Sequence, residues 1–176
     1  MEKGRRVFRA QPPLQTRGSA NDPQKGGIMV IFVRVKLKEL FEKERNYPWT
    51  RPELCPRCSD YKVWGHGYVH AHFDGYSEPL LLKRYRCPVC GCIVRLRPCG
   101  YFKRFQAEVK SIRSSILHKE RHHKWLTGIS RTRQRHWLNA LQRRVKAYLG
   151  DTWAQGLLQA FDHFMAQGQV PVSRTI

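Results

Sequence analysis

Acidic side chains are in short supply. The 176-residue sequence has 13 Asp and Glu against 33 Lys and Arg, a formal net charge of +20. That imbalance exceeds what solubility asks of a small domain, and it is the electrostatic footprint of a protein that meets a polyanion. Nucleic acid is the expected partner, ahead of acidic membrane surfaces and acidic proteins. Long apolar runs are missing too. No stretch reaches the roughly 18 residues of a membrane helix, so no membrane partner is expected. Ile28 to Val33 is apolar but too short, and without a small-residue cleavage pattern it does not read as a secretory signal. The expected compartment is a reducing cytoplasm, where closely paired cysteines are metal ligands before they are disulfides. Catalytic signatures are absent as well: there is no glycine-rich phosphate loop, nucleophile–base pair or open metal site. An enzyme is not expected.

The residues that are present divide the chain unevenly. Residues 1–28 are rich in Gly, Pro, Gln and Arg, which predicts a disordered basic arm. Met29 opens the first segment with structural character and is an alternative start. Residues 29–46 read as a lead-in, with a β-rich run to Val35 and then a short helix with Leu37, Leu40 and Phe41 on one face. Residues 47–100 hold all six cysteines. There Tyr61–Phe73 and Leu80–Tyr85 read as strands joined at an Asp74-Gly75 turn, and Ile93–Leu96 as a third strand. From Tyr101 the period becomes helical, with Phe105, Val109, Ile112 and Ile116 in step. A short helical segment over Glu120–Leu126 is expected next, then a helix from Arg131 to Leu149 capped by Ser130 and stopped by Gly150. Its buried stripe is expected to be Trp137, Leu138, Leu141, Val145 and Tyr148. Residues 151–176 hold a last amphipathic helix over Thr152–Gln167 and a tail. Its apolar residues serve the core or, alternatively, a second copy. The expected fold class is α+β: a small β-rich zinc ribbon followed by a helical, helix-turn-helix-like domain over 101–150.

Cysteine spacing carries the sharpest chemistry. Cys55-Pro56-Arg57-Cys58 and Cys87-Pro88-Val89-Cys90-Gly91 are two pairs separated by 28 residues, a hairpin's length. Four thiolates closing around one ion select zinc, and no position is left for water, so the site is structural. Cys92 is an alternative to Cys90. Otherwise Cys92 and Cys99 are expected to be small packing residues. His66, His70 and His72 are read as surface or nucleic-acid-facing side chains, with metal binding the weaker option.

Thirteen Lys or Arg fall between Tyr101 and Lys146 against two acids, Glu108 and Glu120. Phosphate neutralisation by such a module gives salt-dependent affinity without sequence preference. Arg131, Thr132, Arg135, His136, Asn139 and Arg143 avoid the apolar stripe and are the candidate DNA-binding residues, Arg and Asn suiting guanine and adenine edges. Gln134 departs from the pattern, because it falls in the stripe where an aliphatic residue is expected.

Taken together, Tyr47-Pro48-Trp49 with Arg51-Pro52, the Cys55-Pro56-Arg57-Cys58 knuckle, Trp64-Gly65-His66-Gly67-Tyr68, the run Lys83 to Gly91 and the helix after Gly128-Ile129-Ser130 resemble an uncharacterised bacterial zinc-ribbon family. That family is similar to the N-terminal DNA-binding region of insertion-sequence transposases. The resemblance spans roughly residues 29–149 and implies duplex DNA of a mobile element as partner. It implies no catalysis, since a transposase core needs metal-holding carboxylates on a domain far longer than the 26 residues that follow Gly150. The competing readings are an RNA-binding zinc ribbon, whose Trp64, Tyr68 and Phe73 stack unpaired bases, and a non-catalytic interaction subunit.

Overall fold

The computed structural model describes residues 27–173. The expected basic arm lies outside them up to residue 26. The chain forms a four-stranded sheet followed by a helical half. The sheet consists of β1 (Ile28–Val33), β2 (Trp64–Ala71), β3 (Leu80–Arg86) and β4 (Ile93–Pro98), and the helices are α1 (Leu37–Lys43), α2 (Val109–His122), α3 (Arg131–Tyr148) and α4 (Leu157–Ala166). The mixed α and β content matches the expected class. Among the described residues no helix is long and apolar enough to cross a membrane.

Strand order is β1-β4-β3-β2. β2 and β3 form the anticipated antiparallel hairpin, and β4 adds antiparallel to β3. The lead-in strand does more than pack beside them. β1 pairs in parallel with β4, from Ile28 opposite Ile93 to Val33 opposite Pro98, so the chain before the cysteines closes one edge of the sheet. A two-stranded hairpin is marginal in water, whereas four strands with an apolar face can persist. Tyr85, Val94, Leu96 and Val63 fill one layer, with Ile31 and Val33 of β1 packed against them.

The helical half has its own core. Ile112 and Ile116 of α2, Trp137 and Leu141 of α3, and Phe161 and Phe164 of α4 are each at most 2% exposed and form one cluster. The terminal helix is therefore core material, as the first of its two expected roles had it. α4 is shorter than anticipated and begins at Leu157. Residues before it form a turn in which the Trp153 indole donates to the Gly156 carbonyl at 2.9 Å. Glu120 of α2 accepts from the Leu157 amide at 2.8 Å and so caps α4 from a neighbouring helix. That use of Glu120 corrects the expectation of a separate helix over 120–126: α2 runs through to His122, ends at a left-handed His123, and is followed by loop.

Contacts made by Arg97 and by Asp74 join the halves. Arg97 of β4, 6% exposed, donates to the carbonyls of Phe102 and Phe105 and lies over the Phe73 ring. Arg133 of α3 forms an ion pair with Asp74 at 2.9 Å, and the Asp74 amide donates to the Gln106 carbonyl at 3.1 Å. The Asp74-Gly75 turn thus marks the hairpin and also receives the first turn of α3.

Candidate metal centre and cationic surface

Cys55, Cys58, Cys87 and Cys90 converge, with all four sulfurs within 4.8 Å of one another. Cys55 Sγ lies 3.6 Å from Cys90 Sγ, and Cys58 Sγ lies 3.6 Å from Cys87 Sγ. These separations are too long for a disulfide. They suit four thiolates about 2.3 Å from a common tetrahedral ion, which stand about 3.8 Å apart. Among the described residues these four are the group placed to hold a metal. Cys90 is in the group, and the alternative, Cys92, is instead fully buried in the sheet core. Cys99 is exposed, which corrects its expected packing role. The histidines His66, His70 and His72 are outside the group. β2 ends at Ala71, so His66 and His70 lie on the strand and His72 lies beyond it.

The two cysteine pairs are built alike. In the first, the Ser59 amide donates to the Cys55 carbonyl at 2.8 Å, and the Cys55 amide donates to the Asp60 carbonyl at 2.8 Å. In the second, Gly91 donates to Cys87 at 3.0 Å, and Cys87 donates to Cys92 at 2.9 Å. Ser59 and Gly91 occupy equivalent places, and both take positive φ, 58° and 68°. Glycine suits that conformation and serine pays for it.

Charge within the cluster is uneven. Burial opposes ionisation of Cys55, yet hydrogen bonds from the backbone of Cys58 and Arg57 outweigh it and bring the thiol down to about 7. Cys58, exposed on its outer side, is pushed up to about 12, first by desolvation of its sulfur. Burial raises Cys90 as well. Cys55 therefore ionises more readily than Cys58 and Cys90, whose desolvated sulfurs a central cation would help to ionise.

The second candidate surface lies on α3. This helix carries six Lys or Arg and no acid. Thr132, Arg135, His136, Asn139 and Arg143 follow one another at helical spacing, with Arg131 at the helix start. Arg131, Thr132, Arg135, Asn139 and Arg143 are exposed, and His136 is half-buried. His136, Asn139, Gln142, Arg143 and Lys146 line a shallow depression along this stripe. Ser130 caps the helix as expected, its hydroxyl accepting from the Arg133 amide at 3.3 Å. The buried face differs from expectation at its far end. Tyr148 is 52% exposed, and Arg144 is buried in its place, stacked on Tyr148 and Phe164 and donating to Gln169 at 2.8 Å.

Gln134 belongs in the buried stripe after all. It is 1% exposed. Its Oε1 accepts from the Ser115 hydroxyl at 2.7 Å and the Leu126 amide at 3.0 Å, and its Nε2 donates to the carbonyls of Leu126 at 2.8 Å and Ile129 at 2.7 Å. The amide thus takes over backbone groups of the eight-residue connection between α2 and α3. That connection is longer than the three or four residues of a tight helix-turn-helix. Gln134 keeps the connection in one shape, and with it the start of α3. No sequence pattern announces this role; the only signal is a polar residue where an aliphatic one belongs.

Comparison with protein-family models, with curated proteins and with solved structures finds no match to this chain.

Proposed function

We propose that the protein is a zinc-dependent, duplex-DNA-binding protein in which the cysteine cluster closes a zinc ribbon and α3 supplies the DNA contacts. The observation that carries the reading is the stripe Thr132, Arg135, His136, Asn139 and Arg143 on an acid-free helix, with Arg131 at its start. Arginine and asparagine on one helical face can read base edges in a major groove, while neighbouring cations neutralise phosphates. Zinc has a structural part: four sulfur ligands leave it no open position, and its binding energy holds the ends of β2 and β3 against the first knuckle. The Arg133–Asp74 ion pair then orients α3 relative to the sheet.

The resemblance to the N-terminal region of insertion-sequence transposases supports the same reading. A regulator, an accessory factor or a catalytically empty remnant of a mobile element is the corresponding biological role. The long α2–α3 connection makes this a loose relative of a helix-turn-helix.

Selection from random duplex DNA, with zinc and with a chelator present, tests the proposal. A zinc-dependent consensus is expected, with affinity falling steeply as salt rises. Arg135→Ala should relax the preference at one position, and Arg143→Ala should weaken binding to all sequences alike. No enrichment over a scrambled pool, or equal enrichment without metal, would refute it.

A further inference from the structure

The sheet carries a second cationic surface that the α3 reading does not use. Arg84 of β3 sits directly opposite Arg95 of β4, and Arg86 sits opposite Trp64 of β2. Residues directly opposite or two apart on a strand share a face, so Trp64, Arg84, Arg86 and Arg95 lie on one side of three adjacent strands. Gly67 of β2 lies beside them, 3.8 Å from Arg84 Nη2 at the position a Cβ would take, which is ordinary contact; it is its φ of 67° that suits glycine. The opposite side is chemically different, with Lys83 over the Tyr68 ring and Tyr85 and Val94 in the core.

Like charges set directly across a ladder are destabilising. Here nothing offsets them, since no ion pair reaches Arg84, Arg86 or Arg95 among the described residues. The buried Nε atoms of Arg84 and Arg95 also have no hydrogen-bond partner among those residues. Two guanidinium groups set side by side favour an anion between them, held by their outer N–H groups. Beside them Trp64 is 60% exposed and presents an open aromatic ring. An arginine pair next to an open aromatic ring is the composition of a surface that takes phosphodiester oxygens and an unpaired base.

We propose that this face of the sheet binds a single nucleic-acid strand, with Trp64 stacking on a base and Arg84, Arg86 and Arg95 holding the flanking phosphates. The proposal extends the nucleic-acid reading above but uses no residue of α3. From β2 to β4 the surface spans two strand spacings, about 10 Å, which suits an extended strand, and the open Trp64 ring favours an unpaired base over one already stacked in a duplex.

The test uses the zinc-loaded full chain and fluorescently labelled oligomers of twelve nucleotides: oligo-dT, oligo-rU and a mixed-sequence duplex. Oligo-dT and oligo-rU separate DNA from RNA as the source of the strand. Trp64→Ala is expected to weaken binding of the preferred single strand by about tenfold. Arg86→Gln should weaken it less and make the salt dependence shallower by about 0.7 in log–log slope. Both side chains are exposed, and unchanged zinc content would show that the variants fold. Duplex affinity should be unaffected by either change, whereas Arg135→Ala with Arg143→Ala should lower duplex affinity and spare the single strand. If the wild-type chain binds neither single strand, or binds one with an affinity indifferent to Trp64→Ala and Arg86→Gln, the proposal fails. If the α3 changes leave duplex affinity untouched while Trp64→Ala weakens the strand, the α3 reading fails and this one stands.

Discussion

Replacing Gln134 by leucine restores the residue that the helical pattern of α3 asks for, and it should damage the protein. The change strands four groups at once: the Ser115 hydroxyl, the Leu126 amide, and the carbonyls of Leu126 and Ile129. A buried polar group left without a partner costs about 1–3 kcal/mol. Ser115 is 1% exposed and takes the full cost, whereas Leu126 and Ile129 are half-buried and regain part of theirs from water. Leucine gives back about 1–1.5 kcal/mol of apolar burial. The net expectation for Gln134→Leu is a loss of about 3 kcal/mol, or about 10 °C in Tm for a chain of this size. Urea unfolding of the metal-loaded protein measures the first quantity. Amide exchange at Leu126 should quicken as the connection loosens. Gln134→Glu supplies a control, because it keeps an acceptor for Ser115 and Leu126 but turns a carboxylate toward two carbonyls. Those carbonyls favour the neutral, donating acid and raise its folded pKa, so the deficit of this variant should shrink as pH falls. Stability of Gln134→Leu within about 0.5 kcal/mol of the parent, with unchanged exchange at Leu126, would refute the role given to this amide.

On the proposed zinc reading, Cys87→Ser should abolish stoichiometric zinc, measured by elemental analysis, and should broaden or remove the unfolding transition of the sheet, because one ligand in four would be lost from a closed site. At the knuckle turns opposite signs are expected: Gly91→Ala destabilises by about 1 kcal/mol at φ 68°, while Ser59→Gly at φ 58° is neutral or slightly stabilising, with zinc-release midpoints as the readout. Asp162→Asn, which breaks the two-pronged contact with Arg113 at 2.6 and 2.8 Å, should cost under about 1 kcal/mol, since both side chains are more than 40% exposed. The Arg113 guanidinium holds the Asp162 carboxyl below its ordinary value, so the pair contributes above the unfolded carboxylate range and the contribution fades as pH falls through the lower, folded value. In the Asn variant that acid-side fading should be absent from the pH–stability curve.

Much of the site was legible because its signals are local. Cys-x-x-Cys followed by a residue at positive φ encodes a knuckle within five residues, and Gly91 advertised the second one. Ser130 before Arg131 encoded a helix start in the same way. Misreadings arose where two distant segments decide. Glu120 looked like the start of a new helix but lies in the last turn of α2, where its carboxylate accepts from the N-terminal amide of α4. Tyr148 looked buried by period, yet Arg144 took the inner position through Gln169 and two rings. The parallel pairing of β1 with β4 was not foreseen, since periodicity gives a strand its faces but not its neighbour.

From the order of residues alone came the cation excess, the paired thiols, the strand and helix types and the caps, all of which depend on side chains within a turn or two of one another. Tertiary structure alone decided that β1 pairs with β4, that Gln134 is a hydrogen-bond hub, and that Arg84 faces Arg95 beside Trp64. Those facts need segments far apart in the chain to be brought together, and the apolar burial that does so carries no label for which polar groups will end up side by side.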